Sequence, residues 1–167
     1  MPAQPTALET YFLQLVNDAR AAAGVQPLAF DGELVAAARD HSAWMDATDT
    51  ASHTGAAGSS IGDRIAAAGY EATQYGENIW YLFGDGIGLD TNAVEQLHQS
   101  LMNSPGHRAN LLNPSFEDVG IGVVGGDFQG RPAVFVTENF GTPTDAERTE
   151  PDDTGGAILS FDEHGLA

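Results

Sequence analysis

Residues 103–123 read NSPGHRANLLNPSFEDVGIGV, and the order of elements on either side of this stretch decides the fold. Pro105 and Gly106 end the helix that precedes them and begin a turn with one short helical piece. The following DVGIGV alternates apolar residues with glycine, as a strand does. His107 therefore lies at a turn and not in an apolar stripe. A histidine in such a place is a poor core filler, so its position favours a function.

Outward from this stretch, the hydrophobic period predicts four helices and three strands. The predicted helices cover residues 7–23, 32–46 with Asp31 as N-cap, 61–69 and 91–102. The predicted strands are the run around residues 74–83, the DVGIGVVGG segment and RPAVFVTENFG, with GGDFQG as a hairpin connection between the last two. This order predicts an α+β sandwich in which helices cover a small antiparallel sheet.

The composition limits the function classes. The 167 residues include 24 acidic and 6 basic side chains, a net charge of −18, and no cysteine. Phosphate backbones and anionic membranes repel such a chain, so we expect no nucleic-acid partner. Disulfides and thiolate metal sites are excluded. No apolar run predicts a transmembrane segment, and the first residues do not have the pattern of a signal peptide.

The segment QYGENIWYLF, residues 74–83, places one carboxylate, Glu77, in an aromatic and aliphatic strand. A buried ionised carboxylate is costly without a partner. We therefore expect Glu77 to meet a cation, a set of hydrogen-bond donors or water. The neighbouring Asn78 is expected to tie the strand to a nearby loop.

Among the five histidines, His53 and His107 are the favoured metal ligands, because both follow small or turn-forming residues. His41 lies on the apolar face of a predicted helix and is expected to be a hydrogen-bonded core residue. Glu95 and His98 are three residues apart on another helix, a spacing that metal-binding helices use. His164 is expected to be solvated.

Two short motifs are interpreted structurally. GSSIG, residues 58–62, fits the nucleophile elbow, but no hydrophobic strand precedes it, so Ser60 is predicted to cap a helix with Asp63. GDGIGLD, residues 84–90, contains one partial calcium-binding repeat, and such sites need several stacked copies. A calcium-responsive surface formed by this loop and the acidic tail is a third alternative for the function, weaker than the two that are given below.

Four segments in order, SHTG, YGENIW, NSPGHRANLLNPSFEDVGIGV and VFVTENFG, resemble the CAP (SCP) domain superfamily over roughly residues 8–141. That superfamily includes cysteine-rich secretory, plant pathogenesis-related and many bacterial proteins. The resemblance implies a three-layer α-β-α sandwich around a mainly antiparallel sheet, and export from the cell. The family's disulfides are missing here, as is common in bacterial members.

The resemblance also implies a central cavity with two histidines and two acidic residues. His53 and His107 match the histidines, and Glu77 matches the glutamate of the G-E-N motif. The second acid stays open between Glu95, on the helix before His107, and Glu138 on the last strand. His98 is a further cavity candidate.

The resulting hypothesis is a secreted binding module, residues 7–141, whose cavity holds a divalent metal on His53, His107 and Glu77. Zinc is the favoured ion, with calcium and magnesium left open. The alternative is a metal-dependent, peptidase-like hydrolase with Glu77 as general base. The partner is an unidentified extracellular ligand or protein, and only the resemblance suggests lipid or sterol binding. Residues 142–167 are expected to form an acidic linker or tail, the start of a further C-terminal region.

Overall fold

The structure, a computed structural model, describes residues 3–150. Over these residues it contains the helices α1 (Ala7–Ala22), α2 (Gly32–Thr48), α3 (Ile61–Ala68), α4 (Thr91–Met102) and α5 (Pro105–Leu111). The strands are β1 (Ala29–Phe30), β2 (Ala72–Phe83), β3 (Asp118–Phe128) and β4 (Arg131–Pro143). Two short 3-10 turns, Ala56–Gly58 and Glu147–Thr149, complete these elements. The predicted α+β class is confirmed.

Two helix starts follow from their capping residues. The Asp31 carboxylate accepts hydrogen bonds from the backbone N–H groups of Glu33 and Leu34, which fixes the start of α2. Ser60 accepts from the Asp63 N–H, and the Asp63 carboxylate accepts in return from the Ser60 N–H. The GSSIG segment is therefore a helix cap, as predicted.

The sheet has the strand order β1-β3-β4-β2, so β2 lies at one edge. The pairs β3–β4 and β2–β4 are antiparallel, and the short β1 runs parallel to β3. The predicted hairpin connection is shorter than expected, because the strands extend to Phe128 and from Arg131. Only Gln129 and Gly130 form the turn, both with positive φ, as a type I′ hairpin requires.

Glycines on β3 set the distance between the sheet and α2. A Cβ atom at Gly120 would lie 2.0 Å from the carbonyl carbon of Leu34, and one at Gly122 would lie 2.4 Å from the backbone nitrogen of Arg39. The α2 backbone therefore lies directly on this face of the sheet. The alternating residues Val119, Ile121 and Val123 point to the other face and join the main hydrophobic core with α1 and α4. These faces give the three layers that were predicted.

The described chain continues to pack against the domain after the predicted boundary at residue 141. The Thr144 N–H donates to the Glu71 carbonyl, and the buried Glu147 carboxylate accepts from the Glu71 N–H. Arg148 forms an ion pair with Glu117. The remainder of the predicted tail, with His164, lies outside the described residues.

Candidate functional site

Glu77 is a buried carboxylate on β2, with both oxygens engaged. Its Oε1 lies 2.8 Å from Nδ1 of His53, and its Oε2 lies 2.5 Å from Nη2 of Arg64. When its amide is oriented to satisfy both neighbours, Asn139 also donates to Oε2 at 3.1 Å. The charge of Glu77 is thus balanced by the guanidinium of Arg64, a partner that has no local signal in the sequence.

Arg64 organises the loop that carries His53. It projects from α3, and its Nη1 donates to the backbone carbonyls of His53 at 3.0 Å and Ser59 at 2.9 Å. The His53 ring is anchored through Nδ1, while its side chain is 59% exposed. The other ring nitrogen, Nε2, is therefore the one left for an external ligand.

His107 is held on a helix that contacts β2. It lies on α5, where Nδ1 is 2.7 Å from the Ser104 hydroxyl, and its ring packs edge-on against Trp80 at a centroid distance of 5.4 Å. Burial lowers the pKa of His107, and the charge of nearby His53 lowers it further. The ring is therefore predominantly neutral near pH 7, with Nε2 not engaged by the Ser104 contact.

Asn78 connects the strand to the helix of His107. Its amide nitrogen donates to the His107 carbonyl at 3.1 Å and to Oε2 of Glu138 at 3.1 Å. Its amide oxygen accepts from Asn110 at 2.9 Å. The structural role predicted for Asn78 is confirmed, although the partner is α5 and not a loop. Because adjacent strand residues alternate, Glu77 and Asn78 point to opposite faces of β2.

The two candidates for a second acid lie in different environments. Glu138 is fully buried, and this burial raises its pKa to about 8 although the Asn78 hydrogen bond opposes the shift. It is therefore mostly protonated at neutral pH. Glu95 is exposed on α4 and accepts a hydrogen bond from the Tyr11 hydroxyl of α1.

His98 and His41 have structural surroundings. His98 packs edge-on against Phe12 at the α1–α4 contact, with a centroid distance of 6.0 Å. His41 is buried and stacks on Trp44, and its Nε2 lies 2.8 Å from the Ser52 carbonyl. The core position predicted for His41 is confirmed.

The distances between possible metal-ligating atoms limit where three ligands can meet. Among residues 3–150, three potential ligating side chains come within 4.8 Å of one another only at Asp31, Glu33 and Glu147. His53, Glu77 and His107 do not form such a group. The arrangement instead offers two imidazoles whose Nδ1 atoms are held by Glu77 and Ser104, a pattern by which proteins orient metal-binding histidines.

The fold and the positions of these residues agree with the comparison to known families. The sequence profile of the Cysteine-rich secretory protein family, CAP, matches residues 13–140. The chain belongs to the CAP family. It does so without any cysteine.

Bacterial proteins are among its relatives. YkwD of Bacillus subtilis, an uncharacterized protein, is 31% identical over 123 residues, which cover 74% of this chain and 45% of YkwD. The crystal structure of an extracellular protein with an SCP domain from Bacillus anthracis is 30% identical. It has a TM-score of 0.60 over 79% of this chain and 39% of that one. The chain spans less than half the length of the curated relatives it matches.

A second solved structure, NaASP2 with Zn²⁺, shares the fold at 14% identity, with a TM-score of 0.55 over 77% of each chain. Together these findings make the chain a bacterial-type CAP domain with the three-layer fold of that family. Between residues 3 and 150, the structure has no helix of the length and apolarity needed to cross a membrane.

Proposed function

We propose that this CAP domain is an extracellular binding module in which His53 and His107 hold a divalent cation, zinc by preference. The observation that carries the proposal is the anchoring of both imidazoles through Nδ1. Glu77 holds one ring and Ser104 the other, which leaves an Nε2 atom on each for the ion.

The ligand set in this proposal differs from the one expected from sequence. Glu77 was expected to bind the metal itself, but its two oxygens are engaged by His53 and Arg64. We assign it the role of orienting His53 and balancing the charge of Arg64. Two neutral imidazoles completed by water suit zinc better than calcium or magnesium, which prefer oxygen ligands.

When bound, zinc would act as a Lewis acid or as a bridge to a ligand of the module. The CAP domain's own residues bind and orient: Arg64 fixes the loop of His53, and Asn78 fixes α5 through the His107 carbonyl. Export is supported by the extracellular SCP-domain protein of Bacillus anthracis, to which this chain is 30% identical. NaASP2, solved with Zn²⁺, supports the choice of ion through its shared fold.

The hydrolase alternative has less support from this geometry. A general base needs an oxygen that can accept a proton from water, and neither oxygen of Glu77 is without a partner. A hydrolase would show turnover that is lost in Glu77→Gln. A binding module has no such turnover to lose.

Zinc titration calorimetry tests the proposal. We compare the wild type with His53→Gln, His107→Gln and the matched control His98→Gln, which removes a histidine at the α1–α4 contact. Binding should be lost in the first two variants and kept in the third. Equal zinc affinity in all four proteins would exclude the two-histidine site.

A further inference from the structure

A pocket lies between α2 and α3, beside the site described above. Its volume is about 350 Å³, within the range of small-molecule sites. Ala56 of the 3-10 turn and the adjacent Ser59 contribute to its lining. The apolar part of its wall consists of the ring of Trp44 and five alanines, which are Ala36, Ala37, Ala56, Ala67 and Ala68. Such a wall accepts an apolar body of modest size.

The pocket also has a polar end with two buried atoms that lack hydrogen-bond partners. Nδ1 of His41 and Nε of Arg64 have none among the described residues, and both side chains line the pocket. His41 is only 2% exposed, and the Arg64 side chain 11%. Buried polar groups in folded proteins are nearly always paired, so these two indicate a missing partner.

Gly55 lies where three polar atoms of this region converge. A Cβ atom at Gly55 would lie 3.0 Å from each of three polar atoms: His41 Nδ1, Arg64 Nη1 and Ser59 Oγ. Gly55 has ordinary extended dihedral angles, so no backbone conformation demands glycine there. A side chain at this position would instead crowd all three polar atoms.

The chemistry of the two unpartnered atoms is complementary. Nε2 of His41 donates its hydrogen to the Ser52 carbonyl, so Nδ1 of the neutral ring is an acceptor. Nε–H of Arg64 is a donor. A ligand group that both donates and accepts, such as a hydroxyl or a carboxamide, satisfies both atoms.

The charges disfavour an anion. The guanidinium of Arg64 is already neutralised by Glu77, and the acidic Asp40 lines the same pocket. An ionised carboxylate would also leave the lone pair of His41 Nδ1 without a donor. We propose that the α2–α3 pocket is a second ligand site, which takes a small neutral molecule with a hydroxyl or carboxamide group on an apolar body. It is distinct from the cation site, although Arg64 contributes to both.

Four probes test this inference: benzamide, benzyl alcohol, toluene and benzoate. Each consists of a benzene ring with a different substituent. Binding is followed through the long-range proton–nitrogen signals of the imidazoles, with His98, whose Nδ1 is also unpartnered, as the internal control. Benzamide and benzyl alcohol should shift His41 Nδ1 and leave His98 unchanged. One satisfied hydrogen bond corresponds to roughly tenfold tighter binding than that of toluene or benzoate.

A matched pair of variants locates the site. Ala67 lines the pocket, and Ala66, its exposed neighbour on α3, is not among the lining residues. Ala67→Phe should abolish the His41 shift, and Ala66→Phe should retain it. If Ala67→Phe does not fold, Ala36→Phe blocks the pocket from α2.

Three results would overturn the proposal. The first is a His41 signal that no probe shifts at millimolar concentration. The second is toluene or benzoate binding as tightly as benzamide, which would mean that water alone satisfies the polar end. The third is unchanged benzamide binding in a folded variant with the pocket blocked.

Discussion

Arg64 illustrates how one side chain determines the site. Its guanidinium contacts Glu77, the His53 carbonyl and the Ser59 carbonyl, so it joins α3, β2 and the intervening loop. Charged groups with little exposure are tolerated when they are paired and hydrogen-bonded, and this one is. The cation that pairs with the buried Glu77 thus comes from a different element of the chain.

Glu138 is a second buried acid, but it has no cationic partner among the contacts of the described residues. It lies opposite Asn78 in the β2–β4 ladder, and its Oε1 has no hydrogen-bond partner in the described part of the chain. Burial raises its pKa to about 8 from the ordinary value of 4.5. The folded protein therefore keeps this carboxyl neutral in a range where the unfolded chain ionises.

The contribution of Glu138 to the stability of the protein should consequently fall as pH rises from 4.5 to about 8. In that window the folded state holds a proton that the unfolded state releases, so the contribution of Glu138 is full below pH 4.5 and is lost through the window. Through this one group, the equilibrium constant of folding should change by at most about tenfold per pH unit. Urea unfolding at several pH values measures it.

Glu138→Gln is the control, because glutamine mimics the protonated acid at every pH. The difference in unfolding free energy between this variant and the wild type should grow in favour of the variant from pH 4.5 to 8. A difference that does not change with pH would show that Glu138 titrates normally.

At the scale of elements, the glycines of β3 determine how closely α2 approaches the sheet. Val119, Ile121 and Val123 fill the core on one face, while Gly120 and Gly122 admit the α2 backbone on the other. The DVGIGV pattern in the opening stretch of the sequence is thus a packing pattern as well as a strand signal.

Gly120→Ala should destabilise the domain strongly, because the added Cβ would meet backbone atoms of Leu34, which cannot rotate away. Such overpacking costs about 3 kcal/mol of unfolding free energy, or more. The matched substitution is Gly106→Ala on α5, where a Cβ would have nothing within 4 Å. That variant should change the unfolding free energy by less than about 1 kcal/mol, because Gly106 lies in the first turn of α5 and not in a helix interior.

Chemical denaturation of both variants measures these effects. If Gly120→Ala were as stable as Gly106→Ala, then α2 would have to shift away from β3 without cost. That result would contradict the backbone-to-backbone packing.

The elements that could be predicted from sequence are those with local signals. The Asp31 and Ser60 caps mark the starts of α2 and α3, and the turn residues after Met102 separate α4 from α5. The two-residue strand β1 has no periodicity to detect, because it exists only through its pairing with β3. Local sequence therefore indicates an element only when the element is long enough to carry a pattern.

The candidate site was less predictable, because its contacts join distant elements. His53, Glu77 and His107 could be named from loop context and family resemblance. The ion pair of Arg64 with Glu77 depends on how α3 packs against β2, and in the sequence Arg64 is one of several polar residues on a short helix. The burial of Glu138 likewise depends on the Asn78 pairing across the sheet.

At the scale of the whole molecule, acidic charge greatly exceeds basic charge. The chain has 24 acidic and 6 basic residues, and four arginines in the described part form ion pairs with carboxylates. Because the acidic residues outnumber the basic ones fourfold, most acidic side chains have no basic side chain to pair with. Repulsion among like charges destabilises a compact state, because unfolding separates the charges.

Added sodium chloride should therefore stabilise this domain. Raising the ionic strength from about 0.01 M to about 1 M shortens the Debye length from about 30 Å to about 3 Å, which screens the long-range repulsion among the carboxylates. Salt also weakens the ion pairs, which acts in the opposite direction. Exposed pairs contribute little, however, and the better-buried Arg64–Glu77 pair is screened less.

Thermal unfolding at neutral pH should show a Tm that rises with sodium chloride, most steeply at low concentration. Potassium chloride at equal ionic strength controls for specific sodium binding and should give the same rise. A Tm that falls with either salt would mean that the ion pairs, and not the net charge, dominate the electrostatic free energy of the folded domain.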